Sequence, residues 1–432
     1  MSLPKKPIHN RYLCLVFEFV LGLPAALGQP PTQDLPAGAL TDTEAVHLGL
    51  SRPEVNALFE GEIGVAESEV MAARRWPNPE FSYTREEASS IPGDPDQDYF
   101  WLSQRFDLSG RRGLKTAAAE RRVHAVTHDT ELRRIELEAE IRQRFYEVLQ
   151  RERRVEAVKR WAGRMQDIAA IIRRQEAAGE VSAYDLRRLI REQSGAEARL
   201  HSEQASLAYA WERLKALLGI QEPRAIEPRV AGTLLPPAPP APLESQLAAL
   251  ATRPDLLGLE QRVTAAELEQ RAAARWWLPE IALGAGVKQI AQGPLDDTVP
   301  LVSASIALPL LDRQQAEKLR AVAQTQLARS QQSLTALRAA GDVRGLWQQA
   351  NQLSNAAHRF REETVQLSPE LIRIAEAAYQ GGQTGISELL DADRSTLETE
   401  LQALELELNA RQAYIDLDRF TGRSLVSAPI ER

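Results

Sequence analysis

Two carboxylates, Glu388 and Asp391, lie three positions apart at the start of a stretch with helical periodicity. Residues at this spacing share one face of a helix, so the two side chains would present negative charge side by side. A surface of this kind attracts cations. The alternative interpretation is that both residues are ordinary solvated acids of a charged helix.

Other kinds of chemistry find less support. The six histidines are scattered, and only His124 and His128 share a helical face, without the intervening glutamate of a zinc-protease helix. Solvated or interface histidines are the better interpretation. The segment Gly110-Arg111-Arg112-Gly113 is too short for a phosphate loop, and no nucleophile elbow is present. We therefore predict no enzyme activity, no catalytic residue, no cofactor and no metal site.

The composition narrows the class of protein. The 432 residues carry 52 Lys+Arg and 60 Asp+Glu, a net charge of −8. This balance argues against nucleic acid as a partner, since nucleic acid requires a basic face. The single cysteine, Cys14, lies in the N-terminal leader, so the rest of the chain needs no disulfide. Outside the leader, no apolar run reaches the roughly 18 residues of a transmembrane helix.

The N-terminus has the features of a secretory signal. Three basic residues precede an apolar run at residues 12–17, and Ala26-Leu27-Gly28 matches a small-x-small cleavage site. We predict a signal peptide over residues 1–28 and export of the remainder.

The glycine turn that precedes the acidic pair occurs twice in the chain. Residues 379–422 repeat residues 176–219, and Gly382 corresponds to Gly179. Glycine supplies the positive φ that such a turn requires, and each copy continues as a helical pattern that stops at a second glycine.

The duplication extends over nearly the whole chain and defines its organisation. Arg-Pro-acidic segments start at Arg52 and Arg253, and a Trp-Pro or Leu-Pro pair follows each of them. We predict two structural repeats, residues 29–230 and 244–432, joined by a stiff proline-rich linker at residues 231–243.

Each repeat is predicted to contain a shorter helix, a β-hairpin, one long helix, the glycine turn and a second helix. The capping box of Thr41 and Glu44 starts a helix that is predicted to run to Arg75. Residues 114–178 contain no proline, and their apolar positions step by three and four, as in a coiled coil.

The predicted hairpins show alternation of apolar with small or polar residues. The alternating segments are residues 80–85, 98–108, 281–288 and 302–310, with loops predicted at 89–97 and 289–298. One apolar face and one small or polar face suit a barrel wall between lipid and water, although a soluble sandwich edge has the same pattern. A four-stranded sheet attached to about 100 Å of helix is not a compact globule. Oligomerisation into a closed barrel would remove the free edges of the sheet.

These features together resemble the TolC-like outer-membrane efflux proteins over about residues 40–422. The segments that narrow the resemblance to the CzcC-like, heavy-metal branch are Leu108-Ser109-Gly110-Arg111-Arg112, Phe145-Tyr146-Glu147-Val148-Leu149 and Pro309-Leu310-Leu311-Asp312-Arg313-Gln314-Gln315. The resemblance implies a mixed α/β membrane protein. Its homotrimer would close a β-barrel from four strands per chain and continue it as an α-helical tunnel of antiparallel coiled-coil helices.

The resemblance also assigns a periplasmic aperture. Its residues in this chain are Asp185, Tyr379, Gly382, Thr384, Glu388 and Asp391, with Gly179 and Gly382 as the turn glycines. Thr384 stands where the best-known member of the family has an arginine. In a trimer, Glu388 and Asp391 would form two stacked acidic rings that favour cations and repel anions.

The function implied is that of an exit duct in the outer membrane of a Gram-negative bacterium, extending into the periplasm. The implied partners are two further copies of the chain, a periplasmic membrane-fusion adaptor, an inner-membrane pump of the resistance-nodulation-division (RND) class and outer-membrane lipid. Divalent heavy-metal cations are the expected cargo. The alternatives are a duct for drugs or other small molecules, a duct for type I protein secretion, and a periplasmic coiled-coil scaffold or adaptor.

Overall fold

The computed structural model describes residues 39–87, 95–220, 229–292, 295–308 and 310–424. The predicted signal peptide and most of the first predicted loop lie outside these ranges. None of the helices within them is both long and apolar enough to cross a membrane.

The first half of the described chain contains four helices and two strands. They are α1 (Asp42–Leu50), α2 (Pro53–Arg74), β1 (Glu80–Glu86), β2 (Asp96–Phe106), α3 (Arg111–Ala177) and α4 (Ala183–Leu218). The second half has the same order with additional breaks. Its elements are α5 (Leu243–Ala249), α6 (Pro254–Ala274), β3 (Ile281–Gln292), β4 (Leu295–Ile306), α7 (Gln315–Glu363), α8 (Ser368–Gln380) and α9 (Ile386–Thr421).

The four strands form one antiparallel sheet in the order β1-β2-β3-β4. The register places Phe100 opposite Val287, and Trp101 opposite Gly286. A Cβ on Gly286 would lie only 2.5 Å from Trp101 Cε3. The indole therefore covers the glycine backbone of the neighbouring strand, an arrangement that only a residue without a side chain permits.

The main core runs along the helices rather than under the sheet. Its largest fully buried side chains include Phe145 and Met165 of α3, Leu189 and Leu214 of α4, and Ile415 of α9. Their spacing along α3 and α4 follows the predicted apolar seam, so coiled-coil packing holds these helices together. The 67 residues of α3 correspond to a length of about 100 Å. The predicted fold class, long coiled helices with four strands, is confirmed.

The helix predicted from Thr41 to Arg75 is wrong, because two helices occupy this range. The capping box of Thr41 and Glu44 does start α1. However, α1 ends at Leu50 and Pro53 is the first residue of α2. Arg52, which precedes the proline, is extended with φ −60° and ψ 131°, since a residue before proline is disfavoured in helical conformation.

The loop predicted at residues 289–298 is also wrong, because most of it is strand. β3 continues to Gln292 and β4 begins at Leu295, with Gln289 paired with Thr298. Local polarity predicts a loop here, but the hydrogen bonds of a continuing antiparallel ladder hold polar residues in strands as well.

The long helix predicted for the second half is interrupted, whereas that of the first half is continuous. α7 ends at Glu363, a single 3₁₀ turn follows at Val365–Leu367, and α8 begins with Ser368. Pro369 stands in the first turn of α8, where its missing N–H is tolerated. It has no N–H to continue the hydrogen bonds of α7, so the helix ends before it.

The proline-rich segment between the halves is non-helical through Pro242 and lies along α7 and α9. Arg411 of α9 donates hydrogen bonds to the carbonyls of Leu234 (2.9 Å) and Leu235 (3.0 Å). Trp347 of α7 donates its indole N–H to the carbonyl of Ala241 at 2.8 Å. Side chains of the helices thus satisfy backbone carbonyls that have no partner within the segment.

Candidate functional site

The two glycine turns lie side by side at the end of α3 opposite the sheet. In the first turn, Gly179 has φ +77° and its N–H donates to the carbonyl of Glu176 at 2.9 Å. In the second, Gly382 has φ +70° and donates to the carbonyl of Tyr379 at 3.0 Å. Both glycines adopt the left-handed conformation that ends a helix, so the two turns are built on the same local plan.

Asp185 belongs to the start of α4 and serves as part of its cap. Ser182 is the N-cap residue, and its Oγ accepts from the backbone N–H of Asp185 at 3.2 Å. The same hydroxyl donates to the Asp185 carboxylate at 2.6 Å. A carboxylate in the first turn is favoured by the partial positive charge of the helix N-terminus. Asp185 therefore has a structural role in the cap of α4.

Tyr379 connects the two turns. Its hydroxyl donates a hydrogen bond to Oε1 of Gln175, in the last turn of α3, at 3.3 Å. Burial and the negative charge of Asp185 raise the pKa of Tyr379 above its usual value. Asp185 and Tyr379, which are almost 200 residues apart in sequence, are thus brought into electrostatic contact.

The acidic pair at the start of α9 is exposed. Glu388 has neither an ion pair nor a side-chain hydrogen bond within the described ranges of the chain, whereas Asp391 accepts from Arg394 at 2.8 Å. Both carboxylates face solvent in a single copy. The pair is available to charged species, with Glu388 carrying the less compensated charge.

Thr384 lies within the second turn and is half-buried. Its Oγ1 is buried without a hydrogen-bond partner among the described residues. Threonine carries no charge, so this position supplies no positive group to Asp185.

Arg188, which the sequence analysis did not single out, connects the two halves beside the glycine turns. Arg188 of α4 donates to Oγ of Ser387 in α9 at 2.6 Å. Arg188 lies three residues after Asp185, on the same helical face, and this spacing was the signal that could have revealed it.

An ion cluster around the buried Asp393, further along the helices, was also missed. Arg164 of α3 donates to Asp393 of α9 at 2.7 Å and to Glu376 of α8 at 2.8 Å. Burial raises the pKa of Asp393, whose carboxylate is almost inaccessible to solvent. Asp393 stands in the apolar seam between Leu390 and Leu397, where a charged residue indicates a buried partner. The cluster links both helices of the second turn to the first half.

No group of three or more His, Cys, Asp or Glu side chains in the described parts of the chain is placed to hold a metal ion.

The sequence matches the model of the outer membrane efflux protein family over residues 59–220 and 247–423. It is also 24% identical to the cobalt-zinc-cadmium resistance protein CzcC of Cupriavidus metallidurans, over 90% of this chain and 91% of that protein. A shorter match, 28% identical over 40% of this chain and 38% of the relative, is to the pyoverdine export outer membrane protein OpmQ of Pseudomonas putida.

Solved structures share the fold at low identity. The chain superimposes on CusC with a TM-score of 0.74 and 17% identity, covering 92% of this chain and 97% of that one. For the open-state MtrE outer membrane channel of Neisseria gonorrhoeae the TM-score is 0.71 at 19% identity, with coverage of 91% and 94%. The match to the family model decides between a channel and a periplasmic scaffold in favour of the channel. This chain belongs to the outer membrane efflux protein family and is an outer-membrane efflux channel of tripartite pumps that extends into the periplasm.

Proposed function

We propose that three copies of this chain form the exit duct for divalent heavy-metal cations in a pump completed by a periplasmic membrane-fusion adaptor and an inner-membrane RND protein. The observation that carries the cargo assignment is the extent of the match to CzcC, which spans nine-tenths of both chains. The match to the pyoverdine exporter covers 40% of this chain.

The exposed acids of the second turn support a cationic cargo. Glu388 and Asp391 lie on one face at the start of α9, beside the glycine turn. Three-fold symmetry would repeat each carboxylate around the axis and produce two acidic rings. Rings of acidic side chains concentrate cations and exclude anions at a constriction. The ion pair between Asp391 and Arg394 weakens one ring, so Glu388 is the stronger determinant.

The first test concerns the cargo. Deletion of the gene should sensitise the native host to cobalt, zinc or cadmium salts, and complementation with the wild-type gene should restore tolerance. Unchanged metal tolerance together with impaired export of an iron-chelating siderophore would instead support the second candidate, which the partial match to OpmQ favours.

The second test concerns the acidic rings. Reconstituted wild-type channels should prefer cations over anions, and the E388Q/D391N variant should lose most of this preference while keeping its trimeric mass. Glu370 of α8 and Glu398 of α9 are exposed acids further from the turn, and E370Q/E398Q removes the same charge as a control. Equal ion selectivity in wild type and E388Q/D391N would rule out the rings.

A further inference from the structure

The junction between the sheet and the helices carries a tryptophan–cation pair in each half. In the first half, the guanidinium carbon of Arg112 lies 3.3 Å from the ring centroid of Trp76. In the second, Nζ of Lys318 lies 4.4 Å from the ring centroid of Trp276. Each tryptophan precedes a hairpin and each cation belongs to the first turn of the long helix that follows it. Both pairs therefore lie at the helical end of the hairpins.

Neither cation is neutralised by a carboxylate within the described residues. Neighbouring arginines differ, since Arg105 pairs with Glu80 at 3.0 Å and Arg111 with Glu280 at 3.7 Å. Arg112 is partly exposed, although its Nη1 is buried and has no hydrogen-bond partner among those residues. A guanidinium that stacks on an indole and has no carboxylate partner is available to bind an anionic ligand.

Apolar side chains are exposed at the same level. Trp277 is 61% exposed, Leu308 69% and Leu310 70%. Leu308 continues the alternation of the apolar face of β4 beyond its last residue, Ile306. The helices continue from this end into the periplasm, so this layer lies at the periplasmic leaflet of the outer membrane. Exposed Trp and Leu beside unpaired cations are typical of a surface that contacts lipid headgroups.

We propose that this layer binds anionic glycerophospholipid of the periplasmic leaflet. Arg112 and Lys318 bind the headgroup phosphates, and Trp277, Leu308 and Leu310 contact the acyl chains. The charge complementarity and the continuity with the apolar strand face single out a phospholipid. This site is independent of the cargo proposed above, because it lies about 100 Å from the glycine turns.

The site can be tested by native mass spectrometry of the full-length complex in detergent, titrated with phosphatidylglycerol or phosphatidylcholine of identical acyl chains. The wild type should retain phosphatidylglycerol about tenfold better, because each basic residue near a membrane surface contributes an attraction to anionic lipid. The R112Q/K318Q variant should lose this preference.

The matched control is K159Q/R359Q, which removes one lysine and one arginine from the same two long helices. Both residues are exposed and without carboxylate partners among the described residues, and they lie roughly 60–70 Å further along those helices. The control should keep the phosphatidylglycerol preference. The charge-conserving R112K/K318R variant should also keep most of it.

Three results would overturn the proposal. They are equal retention of the two lipids by the wild type, a preference unchanged in R112Q/K318Q, and stronger retention of lipid A than of phosphatidylglycerol. Should R112Q/K318Q not assemble, the wild type still provides a test. Raising the salt concentration from about 0.05 to 0.5 M should weaken its preference through screening, and a salt-independent preference would contradict a phosphate contact.

Discussion

The long helices of the two halves start from the same duplicated plan and end differently. α3 continues without a break from Arg111 to Ala177, whereas the second half divides the same distance between α7 and α8. Pro369 stands 13 positions before Gly382, and the corresponding position before Gly179 is Gln166. The two arms thus differ at a position where Pro369 has no N–H to continue a helix, and both still end in the same glycine turn.

The strongest test of this comparison transfers the proline. Gln166 is exposed on α3, so Q166P should act through the backbone alone. We expect Q166P to lower the stability of α3 by about 3 kcal/mol or more, because proline removes a hydrogen bond and clashes with the preceding turn. Hydrogen exchange of the trimer in detergent should accelerate around residue 166. The reverse substitution, P369A, should change the free energy of opening of α8, obtained from hydrogen exchange, by less than about 1 kcal/mol. Equal effects of the two substitutions would refute the explanation that proline interrupts the helix.

The next test concerns the ion cluster that holds the segmented arm to the rigid one. R164A should leave Asp393 buried without its cation and destabilise α8 and α9 by about 2 kcal/mol, less than for a fully buried pair because Arg164 is partly exposed. The measurement is the local free energy of opening from hydrogen exchange.

Arg160 provides the matched control for Arg164. It lies on the same helix and pairs with Glu400 of α9 at 2.6 Å, but this pair is exposed. R160A should therefore lower the free energy of opening of α9 by less than about 0.5 kcal/mol. The R164M/D393L variant should recover the stability, since apolar replacement of a buried pair is tolerated. A similar loss in R160A and R164A would show that burial is not the cause.

The smallest expected effect distinguishes the half-buried Glu152 from the buried Glu407. Burial, opposed by the backbone N–H of Val230, raises the pKa of Glu152 in α3 to about 7. Burial also raises the pKa of Glu407 in α9, but there Arg361 is a charged partner. Among the described residues no arginine donates a hydrogen bond to Glu152, whereas Arg361 donates one to Glu407.

The sign of the pH dependence follows from the raised pKa. A carboxyl with a folded-state pKa above its unfolded value stabilises the protonated folded state, so stability falls as pH rises from about 4.5 to 7. E152Q should therefore stabilise the protein by about 1–2 kcal/mol at pH 8 and by nearly nothing at pH 4. Thermal unfolding at both pH values measures this. E407Q should stabilise the protein less than E152Q at pH 8, because the charge and hydrogen bond of Arg361 offset part of the cost of burying Glu407. Equal stabilisation by the two variants would contradict the distinction.

Local signals in the sequence determined the elements and their order. Proline-free runs, apolar steps of three and four, and alternation in the hairpins depend only on neighbours along the chain, as do the capping box at Thr41 and the turn glycines Gly179 and Gly382. The family also followed from such local segments. These signals act within a few residues, so they survive without knowledge of what packs against them.

Only the tertiary structure decided which distant residues meet. The continuation of β3 through Gln289, the contact of Tyr379 with Gln175, and the Arg164 cluster all join segments that lie far apart in the chain or depend on a partner strand. An isolated charged residue has the same sequence pattern whether its helix face is solvated or buried against another half. Its role is set by burial and by the partner that compensates its charge, and both are properties of the packed helices.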